Sequence, residues 1–195
     1  DMARYEVCAH KWVDLSQSDY GVALLNDCKY GHKVLENVLD LNLLRSPGRP
    51  DPQADRAHHQ FTYSLYPHVG NHIVGKVIQA GYELNVPLRV IEGRLNSDLI
   101  VPGTAFARVD AENVIIETVK KAEEGDDIIL RLYEASGASV RTTLSINARV
   151  ETVWKTNLME EVEEKLSGEG SSVELTLQPF EIVTLRVQVA NSHNK

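Results

Sequence analysis

The chain of 195 residues is 43% hydrophobic and 25% charged, which is typical of a globular protein and excludes a disordered one. Its formal net charge of −8 argues against nucleic acid or an anionic membrane as a partner, because both require a basic surface. Two cysteines are too few for a disulfide framework, and no apolar run approaches the about 20 residues of a membrane-spanning helix. The chain starts without an apolar leader, so we expect a reducing, cytoplasmic setting.

The distribution of residue types separates a reactive first part from an acidic second part. Residues 1–72 contain 6 of the 7 histidines, both cysteines and 7 of the 12 aromatic residues. Residues 110–170 carry 14 acidic residues against 7 basic ones, which accounts for most of the net charge. We therefore expect binding residues in the first part and a solvated scaffold in the second.

Val, Ile and Thr, with 22, 10 and 9 residues, favour a β-rich fold. In the first part, the short apolar run at residues 20–25 predicts a buried strand that ends in a polar turn. Residues 38–43 alternate leucines with polar residues, which predicts a half-buried strand. Three prolines between residues 46 and 52 predict an extended loop, and residues 61–65 predict a third strand with its aromatic and leucine side chains on one face.

The pattern changes to a helical period between residues 71 and 84. Ile73, Val77, Ala80 and Leu84 recur at spacings of four, three and four, which places them on one face of a helix. Asn71 is suited to cap its first turn. This is the one helix that the sequence predicts with a complete apolar face.

Beyond residue 92 the sequence predicts a domain boundary and then a β-sandwich. Residues 92–104 are polar and interrupted by Gly and Pro, and the chain after them alternates strand-like runs with short turns, a pattern typical of an antiparallel sandwich. An acidic segment at residues 159–166 is predicted to form one or two helical turns with solvated charges. Strands are predicted at 113–119, 128–133, 139–146, 148–155, 172–177 and 182–189.

Three pairs of side chains suggest metal binding, but each has a simpler interpretation. A zinc site needs three or four converging ligands, and none of these pairs is accompanied by the glutamate of a zinc-protease motif. We expect surface or capping histidines, and we expect the thiols of Cys8 and Cys28 to be buried and inert. The sequence also contains no nucleophilic serine motif and no phosphate-binding loop. The pairs are Cys8 with His10, His58 with His59, and His68 with His72.

The polar loop after the first strand is the best candidate for binding. Asp27, Lys29 and Tyr30 combine a carboxylate, an ammonium and an aromatic ring, which together can hydrogen-bond and stack on a sugar ring. Arg45 follows the next strand and can join them. The alternative is an ordinary hairpin connection with a salt bridge between Asp27 and Lys29.

Several long motifs occur in an order that resembles the C-terminal region of glycoside hydrolase family 38, in its cytosolic and bacterial branch. They extend over nearly the whole chain, and they are YGVALLNDCKYG at 20–31, LLRSP at 43–47, PDP at 50–52, FTYSLYPH at 61–68, NVIIETVKKA at 113–122, LRLYEA at 130–135 and PFEIVTLR at 179–186. The resemblance implies a parent α-mannosidase that removes terminal α-linked mannose with retention. It also implies an Asp nucleophile and zinc or another divalent metal in an N-terminal part whose motifs this chain lacks, so we expect no catalytic or metal-binding residue here and no activity of the chain alone.

The resemblance also implies how the chain is divided. Residues 1–92 would be the end of a large antiparallel β-sandwich, or supersandwich, that includes the one helix, and residues 106–190 a smaller C-terminal β-sandwich. Residues 93–105 would be a linker, and residues 191–195 a disordered tail. The expected partners are the N-terminal catalytic domain of the same protein and, for the parent, a mannose-containing oligosaccharide; a homo-oligomeric parent stays open.

In enzymes of this family, loops of the large β-domain reach the rim of the active site. For Asp27, Lys29, Tyr30 and Arg45 the resemblance therefore implies contact with sugar or docking between domains, and the two roles stay open. Two other functions also stay open for the chain: a free-standing carbohydrate-binding module and a purely structural cap on the catalytic domain.

Overall fold

A computed structural model describes residues 5–90, 92, 104–166 and 168–190, with the backbone alone at 168 and 169. The chain divides into two units, residues 1–92 and residues 93–195. The prediction of a mostly β fold with one short helix is confirmed over these described residues. None of their helices is long and apolar enough to cross a membrane. Most of the predicted linker and all of the predicted tail at 191–195 lie outside the described residues.

The first unit contains two three-stranded antiparallel sheets and one helix, with strand orders β2-β3-β6 and β1-β4-β5. Strands β3, β5 and β6 correspond to the three predicted ones. Strands β1, β2 and β4 were not predicted. Strand β1 has only two residues, and β2 and β4 are short and each contains a charged residue that breaks the apolar alternation. The elements are β1 (Val7–Cys8), β2 (Trp12–Ser16), β3 (Tyr20–Asn26), β4 (Gly31–Leu35), β5 (Val38–Leu41), β6 (Tyr63–Val69) and α1 (Val77–Asn85).

Helix α1 packs on one face of the β2–β3–β6 sheet. Its predicted apolar stripe contributes Val77, Ala80 and Leu84, which contact Ala23 and Leu25 of the central strand β3. Val77 and Ala23 are fully buried. The period-3.6 pattern therefore identified the contact surface of the helix correctly.

The helix begins six residues later than the sequence predicts. Lys76 has a φ of 53°, a left-handed conformation that an α-helix cannot contain, so residues 71–76 form turns instead. Asn71 still caps this segment, because its Oδ1 accepts the backbone N–H groups of Ile73 and Val74, each at 3.1 Å.

A buried pair of side chains joins β2 to β6 on the helix-facing side of the sheet. The Nε2 atom of His68 lies 2.7 Å from Oδ1 of Asp14, and both side chains are almost completely buried. Glycines lie on two sides of the imidazole. A Cβ atom added at Gly21 would lie 2.4 Å from Cε1 of His68, and one at Gly75 would lie 2.3 Å from Nδ1. The space for His68 therefore depends on these two glycines.

We expect Gly75→Ala to destabilise the first unit by about 1 to 3 kcal/mol, because the added methyl group overlaps a buried ring that is held by Asp14. Gly48→Ala is the matched control, since nothing lies within 4 Å of its added Cβ. The measurement is urea unfolding followed by Trp12 fluorescence in a Trp154→Phe background. Equal midpoints for the two variants would contradict the proposed packing of His68.

The second unit is a sandwich of two antiparallel sheets, with strand orders β13-β14-β10-β7 and β12-β11-β15-β9-β8. Its core contains residues from both sheets, among them the fully buried Leu144 and Leu177 of one and Leu130, Leu132 and Leu185 of the other. The elements are β7 (Ala107–Val109), β8 (Val114–Lys121), β9 (Ile128–Glu134), β10 (Val140–Ile146), β11 (Val150–Thr156), β12 (Val162–Leu166), β13 (Gly168–Glu169), β14 (Ser172–Leu177) and β15 (Ile182–Val189).

The acidic segment at 159–166 is not helical, contrary to the prediction. After a turn held by Asn157, whose Oδ1 accepts the N–H groups of Met159 and Glu161, the chain pairs along β11 as the edge strand β12. Most side chains of β12 are exposed, so its charges are solvated as expected.

Glu134 connects three turns at one end of this sandwich. Its two carboxylate oxygens accept backbone N–H groups from Ser136, Gly137 and Phe180, and side-chain donors of Asn113 and Ser136. Burial alone raises the pKa of Glu134, but the hydrogen bonds from Phe180, Ser136 and Asn113 outweigh it and lower the pKa from 4.5 to about 2. The carboxylate therefore stays ionised in a site that is only 1% exposed.

This depressed pKa gives the second unit a defined acid sensitivity. The contribution of Glu134 to stability is complete above its ordinary pKa of 4.5 and is lost as the pH falls towards about 2. Glu134→Gln should cost about 1 to 3 kcal/mol at neutral pH, because an amide nitrogen cannot accept a backbone N–H. Unfolding followed by Trp154 fluorescence measures both effects. Glu174→Gln on the exposed side of β14 is the control, and an equal loss in both variants would contradict this role.

Candidate functional site

Three of the four residues singled out in the sequence line one cleft of the first unit. Lys29, Tyr30 and Arg45 border a cavity of about 410 Å³ that is open to solvent. Lys29 and Tyr30 belong to the loop between β3 and β4, and Arg45 follows β5. The complete lining consists of Cys28, Lys29, Tyr30, Gly31, Asn42, Leu43, Leu44, Arg45, Asp55 and His59.

Asp27, the fourth residue, fixes the loop instead of lining the cleft. Its Oδ1 accepts the N–H of Thr62 at 3.0 Å, and its own N–H donates to the Thr62 carbonyl at 3.1 Å. The Thr62 N–H and the Cys28 thiol lower the pKa of Asp27. Asp27 and Lys29 do not form the alternative salt bridge, and the Lys29 ammonium lies 4.7 Å from the centre of the Phe61 ring.

A buried polar network beneath the cleft holds the backbone of this loop. Oδ1 of Asn26 accepts the N–H of Lys29 at 2.7 Å, and Nδ2 of Asn26 lies 3.4 Å from Nε2 of His32. Nδ1 of His32 lies 3.2 Å from the Tyr30 carbonyl oxygen, which can only accept, so Nδ1 carries the proton and Nε2 accepts from Asn26. Burial lowers the pKa of His32 against the smaller opposing effect of Tyr30, which keeps the imidazole neutral.

The proline-rich loop forms the opposite wall. Oδ2 of Asp55 accepts the N–H of Ser46 at 2.7 Å, and the Asp55 carbonyl accepts from Nε2 of His59 at 2.8 Å. The bond to Ser46 brings Asp55 next to the segment that carries Arg45. The sequence analysis did not place Asp55 and His59 at the cleft. Their spacing of four residues within one loop could have indicated that they contact each other.

The cleft offers groups of mixed polarity to a ligand. Tyr30 is half-exposed and its ring packs against His10 with centroids 4.7 Å apart, which leaves part of its face for stacking. The exposed Arg45 makes no ion pair or hydrogen bond within the described residues, so its guanidinium donors can bind a ligand. Asp55 and His59 add polar atoms at the rim. Such a set can bind hydroxyl groups and stack on an apolar ring face.

The cysteines are exposed rather than buried, contrary to the prediction. Cys8 lies on a two-residue edge strand, and Cys28 lies in the loop that borders the cleft, so neither is covered by core residues. The Asp27 carboxylate accepts a hydrogen bond from Cys28 and raises the pKa of the thiol. Cys28 is therefore not activated as a nucleophile.

Four of the five histidines considered as metal ligands have other partners. His68 pairs with Asp14, and the ring of His72 stacks on Trp12 with centroids 5.4 Å apart. His10 packs on Tyr30, and His59 bonds to the Asp55 carbonyl. Within the described residues, no group of three or more His, Cys, Asp or Glu side chains is placed to hold a metal ion.

Comparison with known proteins identifies the family. The model of the glycosyl hydrolases family 38 C-terminal domain matches residues 1–53, and that of the family 38 C-terminal beta sandwich domain matches residues 113–185. The chain belongs to glycoside hydrolase family 38. Both models describe C-terminal parts of its members, so this family 38 chain corresponds to their C-terminal region, as the sequence motifs predicted.

Named relatives of the chain are α-mannosidases. Over the full length of this chain, the sequence is 40% identical to α-mannosidase 2C1 of Mus musculus. Over 95% of this chain, it is 39% identical to α-mannosidase G of Dictyostelium discoideum. An α-mannosidase of Saccharomyces cerevisiae is 32% identical over 96% of the chain. The chain spans only 19%, 18% and 19% of the lengths of these three proteins.

A solved structure shows the same fold at low sequence identity. The crystal structure of an α-mannosidase from Enterococcus faecalis V583 matches 94% of the chain with a TM-score of 0.71 and 19% identity, and the chain covers 21% of it. A second structure from Enterococcus faecalis, of a protein in glycosyl hydrolase family 38, gives a TM-score of 0.70 at 18% identity.

We predict that acid weakens the network that supports the cleft. Because the folded state lowers the pKa of His32 below 6.5, its contribution to stability is complete above pH 6.5 and is lost as the pH falls below that value. The unfolding free energy of the first unit, read from Trp12 fluorescence in the Trp154→Phe background, should therefore decrease on acidification from pH 7. His32→Gln should flatten this decrease, because an uncharged amide can still donate to the Tyr30 carbonyl. The exposed His58→Gln is the control, and an unchanged pH dependence in His32→Gln would contradict this assignment.

Proposed function

We propose that this chain is the non-catalytic C-terminal β-region of an α-mannosidase that removes terminal α-linked mannose from oligosaccharides with retention of configuration. The observation that supports it is 40% identity to α-mannosidase 2C1 along the entire chain, although the chain spans 19% of that relative. In this proposal residues 1–92 are the end of the large β-sandwich of the parent enzyme, residues 93–105 are a linker and residues 106–190 are its terminal sandwich. The partner is the catalytic domain of the same protein.

The metal that the family resemblance implies does not fit the side chains that the structure describes. The described residues contain no set of three candidate ligands, and four of the histidines considered, His10, His59, His68 and His72, have protein partners. We therefore propose that zinc, or another divalent ion, is held by other parts of the parent. We place no nucleophile in the described residues, so we expect the chain alone to be inactive.

We further propose a cytoplasmic location. Two exposed, unpaired cysteines support it, because exposed thiols are stable in a reducing compartment and prone to oxidation outside it.

The cleft is proposed to contact the sugar at the rim of the active site of the parent. Arg45 would donate hydrogen bonds to sugar hydroxyls, and Tyr30 would supply a stacking surface. Lys29 is oriented by its contact with Phe61, and Asp27 acts indirectly by fixing the loop to Thr62. Docking of the cleft against another domain, without sugar contact, is the competing role.

Arg45→Ala in the full-length parent tests the proposed contact. Loss of charge-assisted hydrogen bonds should lower kcat/KM for an α-mannoside by about 10- to 100-fold and leave the melting temperature unchanged. Arg141→Ala, which removes an exposed arginine from β10 of the second unit, is the matched control and should change neither quantity.

The outcomes separate the competing roles. A lower melting temperature with unchanged kcat/KM would show that Arg45 docks domains and does not contact sugar. A full-length parent without α-mannosidase activity would overturn the proposed function itself.

A further inference from the structure

The short link between β1 and β2 is bonded to both ends of the loop between β3 and β4, which borders the cleft. The N–H of Ala9 donates to the carbonyl of Tyr30 at 3.0 Å. The carbonyl of Lys11 accepts the N–H of Asn26, the last residue of β3, at 2.9 Å. His10 lies between these two bonds, so its backbone is fixed directly beside the loop.

A strained turn at this link sets the direction of the His10 side chain. The N–H of Trp12 donates to the His10 carbonyl at 2.8 Å, and Lys11 between them has a φ of 68°. A three-residue turn with a positive φ at its centre is rare and strained. Strained residues of this kind are enriched around binding sites, and Ser46 and Asp55 in the opposite wall of the cleft also have positive φ, at 45° and 59°.

The turn separates two neighbouring aromatic side chains. Trp12 packs against the buried core of the first unit, and its ring stacks on His72 with centroids 5.4 Å apart. The ring of His10 packs on Tyr30 instead, with centroids 4.7 Å apart and the two planes inclined by 40°. Because Trp12 is fixed in the core, the turn gives the imidazole of His10 a fixed base.

Tyr30 is held at its backbone and at its ring. Its carbonyl accepts from the N–H of Ala9 and from Nδ1 of His32, while its ring is 49% exposed and borders the cleft. An exposed side chain that rotates freely loses this freedom when a ligand binds, which weakens binding, whereas a side chain that is already held loses little. The contact with His10 therefore prepares the Tyr30 ring for stacking.

We propose that His10 is a positioning residue, whose imidazole holds the Tyr30 ring in the orientation that stacks on the sugar. This role rests on the proposed function, because the contact of Tyr30 with sugar is part of it. The sequence suggested His10 only as a metal ligand together with Cys8, and the structure gives it the aromatic partner instead. The competing role is direct hydrogen bonding of the exposed imidazole to the substrate.

Kinetics of the full-length parent test the positioning role. His10→Ala should raise KM for an α-mannoside by about 3- to 10-fold at unchanged kcat and melting temperature, because a stacking surface contributes equally to the bound substrate and to the transition state. His10→Phe keeps an aromatic ring behind Tyr30 and should keep KM within about twofold of the wild-type value. His58→Ala, which removes an exposed histidine of the proline-rich loop, is the matched control and should change none of these quantities.

A double variant shows whether His10 acts through Tyr30. His10→Ala combined with Tyr30→Ala should have the KM of Tyr30→Ala alone, since no ring remains to be positioned. A further rise in KM in the double variant, or equal losses in His10→Phe and His10→Ala, would show direct contact of the imidazole with substrate and overturn the positioning role.

The remaining outcomes separate this role from the proposed function. An active parent in which His10→Ala leaves KM unchanged overturns the positioning role alone, whether or not its melting temperature falls. A wild-type parent without α-mannosidase activity overturns the proposed function, and the role of His10 with it.

Discussion

Strand β3 has buried apolar side chains on both of its faces, and the first unit is organised around this constraint. Ala23 and Leu25 point to α1, while Leu24, only 6% exposed, points the other way. A nine-residue helix can cover one face of a three-stranded sheet but not both. On the first side the helix lies close to the sheet, since a Cβ atom added at Gly81 of α1 would lie 3.1 Å from Cδ1 of Trp12 in β2. On the second side burial is uneven, since Val13 and Leu24 are buried whereas Leu65 is 69% and Val69 74% exposed.

Buried polar groups provide specificity in both units, by different means. Asp14 and His68 pair across the first sheet, whereas Glu134 in the second unit accepts mainly from turn backbone and no cation is needed. Both arrangements satisfy polar groups that would otherwise be costly to bury. They connect segments far apart in sequence, so a single polar residue fixes the register of two or three chain segments.

The sequence predicts the elements whose apolar residues recur with a regular period. It does not predict features that depend on a contact between residues far apart in the chain. The stripe of Val77, Ala80 and Leu84 and the alternating strands of the sandwich were predicted correctly because one side of each element is buried. Strand β2 was missed because it contains Asp14. A charged residue predicts an exposed position, and only the contact with His68 explains why this one is buried. The left-handed Lys76 could not be foreseen, because lysine has no preference for that conformation. The grouping of Lys29, Tyr30 and Arg45 followed from their positions at strand ends. The bonds of Asp27 to Thr62 and of Asp55 to Ser46 join residues that are 35 and 9 positions apart, which periodicity does not reveal.

Hydrogen bonds of Asn26 connect the cleft to the core of the first unit. This residue ends β3, and its carbonyl accepts from Nδ2 of Asn85 at the end of α1, while its side chain bonds to Lys29 and His32. Helix, sheet and cleft loop therefore meet at one buried residue. Because Asn26 is the last residue of β3, the packing of α1 on that strand restrains the point from which Lys29 and Tyr30 extend. The packing of α1 thus positions β3, β3 positions Asn26, and Asn26 holds the loop that borders the cleft.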